Sequence, residues 1–277
     1  SESEQVLMYR EQLEAFHPLP VTMRTLDIGG DKPLSYFPIK ESNPYLGWRG
    51  IRITLDHPEI FLVQVRAMIK ASAGLNNLHI LLPMISGVHE LDDAQHLIHR
   101  AWGELINEGV DVQMPQIGVM IEVPSAVYQA KELARMADFL SVGSNDLTQY
   151  LLAVDRNNAR VAALYDYLHP AVLMALQEVV SAAHAEGKPV SICGEMAGDP
   201  VAAVLLLAMG FDSLSMNSTH LPKVKWLLRK MTLEHAQELL EEVSAMDNPQ
   251  LIHSTLNLAL GNLGLSKVLN PASSVQT

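Results

Sequence analysis

Three short apolar runs in this sequence end abruptly in residues that can do chemistry. QIGVMI runs straight into Glu122, FLSVG into a corner with Asn145 and Asp146, and VSI into Cys193 and Glu195. A carboxylate at the end of a buried run costs several kcal/mol unless it is paired or bound to a cation. For Glu122 one reading is a salt bridge to a neighbouring arginine. The other uses Asp146, which emerges at the same kind of strand end one unit later: two hard oxygen ligands suit Mg²⁺, which keeps several waters and takes further oxygens from a substrate phosphate. Asn145 or Asp146 can instead simply cap the helix LTQYLLAV, and that alternative stays open. Cys193 alone reads as a small buried hydrophobe, the common role of an unpaired thiol. Three arginines, Arg24, Arg49 and Arg156, are candidates for holding an anionic substrate.

The totals narrow the class of partner. The chain has 277 residues, 48% of them hydrophobic and 18% charged, a globular balance. Its net charge of -12 disfavours nucleic acid or an anionic membrane, both of which need a basic field. An anionic substrate then requires a local arginine cluster working against the global field. One cysteine excludes an internal disulfide, and no apolar run approaches the roughly 20 residues that span a bilayer, so a cytoplasmic location is expected. Neither a GxxxxGK[ST] nor a GxGxxG pattern occurs, and HEL at His89 lacks the second histidine of HExxH.

The scaffold must bring strand ends together. A helix is predicted over residues 5–16, with Leu7, Met8, Leu13 and Phe16 at helical spacing, and a strand over 21–27. Gly29, Gly30, Asp31 and Lys32 form a loop at that strand's end, a weak phosphate signal. GIRI around Ile51 reads as a short strand between Arg49 and Arg52. Asp56 and Pro58 open a helix that Gly74 ends; a strand over 79–84 then feeds a long amphipathic helix to Asn107. On that helix His96 and His99 lie on a solvated face rather than in a metal site. Further helices follow Asn145, run from Pro170 to Gly187, stop at Gly210 and continue from Pro222, and the tail NPASSVQT is polar. Strands centred near Arg24, Ile51, Leu82, Met120, Leu140, Ile192 and Leu214 make seven, where a (β/α)8 TIM-type barrel has eight. The expectation is an α/β barrel with its first strand before Ser1. It forms a single domain over 1–277: a leading helix (1–20), a barrel core (21–220), C-terminal helices (221–264) and a tail (265–277).

RTLDIGGDK, NPYLGWRGIRI, LLPMI, IGVMIEVPSA, FLSVGSNDLTQYLLAVDRNN, ICGEMAGDP and LSMN occur in that order. Together they closely resemble the C-terminal phosphoenolpyruvate-binding barrel of bacterial phosphoenolpyruvate-protein phosphotransferases, enzyme I of the phosphotransferase system. The resemblance runs from about Val21 to the helix after Asn217, and DRNNARVAALYDYLHPAVL looks closer to the nitrogen-regulatory branch than to the sugar-transport branch. It implies that Glu122 and Asp146 bind Mg²⁺, that Asn145 contacts phosphoenolpyruvate, and that Arg24 and Arg156 hold its phosphate with Arg49 as a further contact. It also implies that Cys193 is the acid that protonates the enolate, leaving pyruvate. A free thiol, with an ordinary pKa near 8.5, is mostly protonated at neutral pH and can give that proton. The phosphoryl group would pass to a histidine on an N-terminal region absent here and on to a histidine-phosphorylatable carrier protein; the family also implies a homodimer. The family places another phosphate-binding arginine on the strand before Ser1, so the isolated chain is expected to bind and dimerise with impaired turnover. Two other readings are the C-terminal domain of a pyruvate phosphate dikinase or phosphoenolpyruvate synthase, which shares the NDLTQ and CGE patterns, and a catalytically silent dimerisation or metabolite-sensing module.

Overall fold

Glycines and prolines punctuate this chain into short strands, each followed by one or more helices. A computed structural model describes residues 1–30 and 39–262. Asp31 and Lys32 of the glycine-lysine loop, and the polar tail predicted from 265, lie outside the described residues. In chain order the elements are α1 (Glu2–Phe16), β1 (Val21–Arg24), α2 (Ile51–Asp56), α3 (Pro58–Ala71), β2 (Leu78–Leu82), α4 (Val88–Asn107) and β3 (Gln116–Ile121). Then come α5 (Pro124–Tyr128), α6 (Ala130–Met136), β4 (Phe139–Gly143), α7 (Ser144–Leu152), α8 (Pro170–Ala185), β5 (Val190–Cys193), α9 (Glu195–Gly198) and α10 (Pro200–Met209). β6 (Ser213–Leu214), α11 (Leu221–Leu228), α12 (Leu233–Ser244) and α13 (Pro249–Asn262) complete the described chain. The strands are hydrogen-bonded in chain order, and the pairs β1–β2, β2–β3 and β5–β6 are parallel. This is an α/β fold, with helices in every connection as parallel strands require.

The chain divides into two compact units. The first comprises Ser1–Ile121 and Glu132–Leu140. In it Ile80, Leu82, Val119 and Ile121 on the strands are fully buried, as the near-continuous apolar run of a covered parallel sheet demands. α1 joins this unit by fewer apolar contacts than its sequence promises: Leu13 is fully buried, whereas Leu7, Met8 and Phe16 remain 71%, 67% and 55% exposed. Polar ties do the rest. Arg10 Nη1 donates to the carbonyls of Ala71 (3.1 Å) and Ala73 (2.5 Å) at the end of α3, where helical carbonyls lack intrahelical partners. Arg66 meets Glu2, Glu104 and Glu108 at 3.2, 3.0 and 2.9 Å, linking α1, α3 and the end of α4. Asn77 Nδ2 donates to the carbonyls of Leu13 (3.0 Å) and Leu19 (2.9 Å).

The strand expected at Ile51 is a helix, so the described residues hold six strands rather than seven. A run as short as GIRI cannot reveal its period, and β-branched residues lose only tenths of a kcal/mol in a helix. Burial decides: Ile51, Ile53 and Thr54 are all enclosed, and the Thr54 hydroxyl is satisfied by donating to the Ile51 carbonyl at 3.1 Å. The remaining predicted elements are found, the α4 boundary at Asn107 included, although β6 is only two residues long. His96 and His99 are exposed, each ring Nδ1 lying within hydrogen-bond distance of the carbonyl four residues earlier.

The second unit comprises Glu122–Lys131 and the chain from Ser141. Val204 on α10 packs with Leu227, Met231, Ala236, Leu239 and Leu260, which gathers α11, α12 and α13 around one helix. At the start of β5 the Val190 amide donates to Asp212 Oδ2 (2.8 Å), and His184 Nε2 lies 3.1 Å from the same oxygen. Burial works to raise the Asp212 pKa, but these bonds outweigh it and hold the carboxyl below its ordinary value.

Leu13→Ala should cost about 2–5 kcal/mol in urea unfolding, the range for truncating a buried leucine, while Leu7→Ala should stay within about 0.5 kcal/mol. Because the folded pKa of Asp212 is depressed, its contribution is present above the unfolded pKa and is lost as pH falls through the folded one. Asp212→Asn should therefore lower the urea midpoint near neutrality and show a shallower loss than the parent below about pH 4.

Candidate active site

In the second unit two strand-end corners are stitched together by adjacent residues. β4 stops at Gly143 and α7 starts at Ser144 with no side-chain cap, so neither Asn145 nor Asp146 serves as the cap that the sequence allowed. The Ser144 hydroxyl donates to the Cys193 carbonyl at 2.6 Å, and Asn145 Oδ1 accepts from the Glu195 amide at 3.0 Å. Gly194 lies between those two bonds with φ +99°, and a Cβ there would stand 2.3 Å from Ser144 Oγ and 2.9 Å from Asn145 Oδ1. Only glycine meets both the backbone angle and the space.

This corner borders a cleft of about 800 Å³ whose lining includes Asn145, Cys193, Glu195, Tyr167, Asp199 and Lys223. Tyr167 donates to Asp199 Oδ2 at 2.9 Å. Burial, then the Asp199 charge and this bond, raise the Tyr167 phenol above its usual range. Tyr165 donates to the Asn145 carbonyl at 3.4 Å, and burial pushes its phenol up to about 12 against the lowering effect of the Arg156 charge. Both phenols stay neutral donors at physiological pH. Arg156 is held through its own amide, which donates to Gln149 Oε1 on α7 at 3.1 Å.

The two predicted metal ligands are both buried carboxylates of this unit. Glu122, 1% exposed, leads into α5, and Asp146, 7% exposed, lies in the first turn of α7, on which α5 packs. Among the described residues no group of three or more His, Cys, Asp or Glu side chains is placed to hold a metal ion. A Mg²⁺ site takes one or two carboxylates completed by water and substrate oxygens, and Glu122 and Asp146 are donors of that type.

In the first unit Arg24 and Arg49 converge on Asp27, a residue the sequence reading passed over. Arg49 Nε lies 3.3 Å from Asp27 Oδ1 and Nη2 3.4 Å from Oδ2, with both side chains fully enclosed. Arg24 Nη1 approaches Asp27 Oδ2 at 3.3 Å while its own side chain stays 40% exposed. Gly50, at φ +56°, keeps this packing: a Cβ would reach Met84 at 3.0 Å and Asp27 Oδ1 at 3.2 Å. The arginines thus differ, Arg49 being enclosed with its carboxylate and Arg24 retaining an open side. The signal for Asp27 was an acid three residues beyond Arg24 and two before a glycine pair. Ser144 carried no signal, since 49 residues separate it from the carbonyl it holds.

The second unit thus holds two buried carboxylates, a thiol beside a strand-end cleft and a phenol near an arginine. The chain belongs to the family of PEP-utilising enzymes, as their PEP-binding domain, which matches residues 1–233. It is 54% identical over 241 residues to a protein of Salmonella typhimurium named for the phosphoenolpyruvate-dependent phosphotransferase system, covering 86% of this chain and 32% of that protein. It is also 45% identical over 263 residues to the phosphoenolpyruvate-protein phosphotransferase of Haemophilus influenzae, covering 92% of this chain and 45% of that one. The corresponding enzyme of Geobacillus stearothermophilus is 42% identical over 256 residues, 92% of this chain and 44% of its own. The chain therefore spans between about a third and just under half of the length of these relatives. A solved citrate lyase of Burkholderia xenovorans aligns at a TM-score of 0.48 and 19% identity, covering 75% of this chain and 70% of that one.

Removing the Asp27 carboxylate strands a buried guanidinium. Asp27→Ala should cost about 3–5 kcal/mol in urea unfolding, the penalty for leaving one partner of an enclosed pair, whereas Arg24→Ala should cost under about 1 kcal/mol.

Proposed function

We propose that this chain binds phosphoenolpyruvate together with Mg²⁺ and supports transfer of its phosphoryl group to a histidine on another domain of a longer protein, with release of pyruvate. The observation that carries this reading is the locked corner that sets Asn145, Cys193 and Glu195 on one cleft, in a unit that also buries Glu122 and Asp146. Glu122 and Asp146 would hold the metal ion, which when bound neutralises charge on the substrate's phosphate and enol oxygens.

The remaining work falls to side chains of the chain. Asn145 spends its Oδ1 on the Glu195 amide, which orients its Nδ2 donors for an acceptor oxygen of the substrate. Arg156 supplies a guanidinium group to phosphate oxygens, and within the first unit Arg49, enclosed with Asp27, fixes the carboxylate that Arg24 meets. As the phosphorus–oxygen bond breaks, the phosphoryl group goes to the acceptor nitrogen and the electron pair remains on enolpyruvate. Cys193 then gives its proton to C3, forming pyruvate and leaving a thiolate that water reprotonates. The ordered resemblance across the chain supports a (β/α)8 TIM-type barrel, the nitrogen-regulatory branch, a homodimer, a cytoplasmic location and a phosphocarrier protein as final acceptor.

Calorimetry with phosphoenolpyruvate, in the presence and absence of Mg²⁺, tests the binding step. The parent chain should bind only with Mg²⁺, and Glu122→Ala should weaken binding by about ten- to a hundred-fold, the effect of losing a charged contact. Equal affinity in the parent and a folded Glu122→Ala variant rules out Glu122 as a metal ligand.

A further inference from the structure

We infer that Ser144 is a positioning residue for Cys193, and that Ser144 and Asn145 act as a two-point clamp setting the direction of the thiol. The inference rests on the proposed role of Cys193 as the proton donor. Ser144 has no counterpart among the residues singled out for binding or chemistry, and its hydroxyl faces protein rather than ligand. It reaches across from α7 and donates to the carbonyl of the residue that bears the thiol, at 2.6 Å. One residue further along each segment, Asn145 Oδ1 takes the Glu195 amide at 3.0 Å.

The peptide planes on both sides of Gly194 are therefore pinned from the same pair of neighbours. A segment of three residues has few soft dihedrals, and bonding the Cys193 carbonyl and the Glu195 amide fixes most of them. Without the Ser144 bond the Cys193–Gly194 peptide is free to rotate about the one residue in the segment that carries no Cβ, and glycine crosses conformational space easily. Rotation there releases the end of β5, so that the Cα of Cys193 can shift and carry its sulfur with it. A proton donor must lie within hydrogen-bond reach of its carbon, so a swing on the order of 1 Å matters for transfer. The site is built for tight contact: Ser144 is 1% exposed, and its Oγ occupies the space that a Cβ on residue 194 would need. Ser144 does the holding, Asn145 both holds and faces the cleft, and Cys193 does the chemistry.

Cys193 is the chain's single cysteine, so thiol alkylation reports on it alone. The experiment measures the iodoacetamide rate at a fixed neutral pH for the parent, Ser144→Ala and Ser144→Thr, with circular dichroism to verify folding and calorimetry for phosphoenolpyruvate with Mg²⁺. Ser144→Ala should change the alkylation rate by about five-fold, the ratio that one ordinary hydrogen bond is worth, with affinity for phosphoenolpyruvate held within about two-fold. Ser144→Thr, which keeps the hydroxyl, should restore the parent rate. An unchanged rate in a folded Ser144→Ala variant overturns the inference, and so does a changed rate that Ser144→Thr fails to restore. If the parent does not bind phosphoenolpyruvate, the functional reading fails while the alkylation rates still decide whether Ser144 positions the thiol.

Discussion

Residue 194 has no room for a side chain, and the arrangement of the cleft depends on that. The hydroxyl of Ser144 and the amide oxygen of Asn145 occupy the volume that a Cβ would fill. Because the two corners approach this closely, consecutive residues on α7 can bond to backbone on either side of Gly194. Those bonds answer two problems at once: they satisfy backbone groups that a strand end leaves without ladder partners, and they fix a thiol and an amide relative to each other. A site built from loops alone would hold such groups loosely, whereas here each is one or two residues from a strand or helix.

Charge burial is the second constraint, and the two units meet it differently. In the first, an enclosed arginine and an enclosed aspartate neutralise each other, and Arg24 adds a further cation with an open side. The pair is costly to break but is not an energetic gain over apolar packing, so its presence calls for a reason other than stability. Orientation of Arg24 supplies one. In the second unit two carboxylates, Glu122 and Asp146, are buried, and the proposed divalent cation would neutralise them together.

How much of this was legible in the sequence varies with the physics involved. Glu122 and Asp146 stood out because a polar residue that interrupts an apolar run is conspicuous, and Arg24 because a guanidinium within a strand is unusual, whereas Cys193 alone reads as a small buried hydrophobe and takes a role only from the resemblance. The helices were legible from proline and glycine punctuation and, for α4, from a long 3.6-residue period. GIRI was misread since propensity favours a strand there, whereas burial of Ile51, Ile53 and Thr54 selects a helix. The exposed Leu7 and Met8 show the converse error, an apolar spacing read as a core face where arginine-to-carbonyl bonds hold the helix. Ser144 was illegible: nothing local says that its partner is a carbonyl 49 residues away.

The account stands on two buried carboxylates acting together as ligands. The most direct test is an anomalous difference map from crystals of this chain grown with Mn²⁺ and phosphoenolpyruvate. The expected result is one strong peak bound by a Glu122 and an Asp146 oxygen, with ligand density extending toward Cys193. A peak at other acids, with Glu122 and Asp146 bonded only to protein groups, would contradict it.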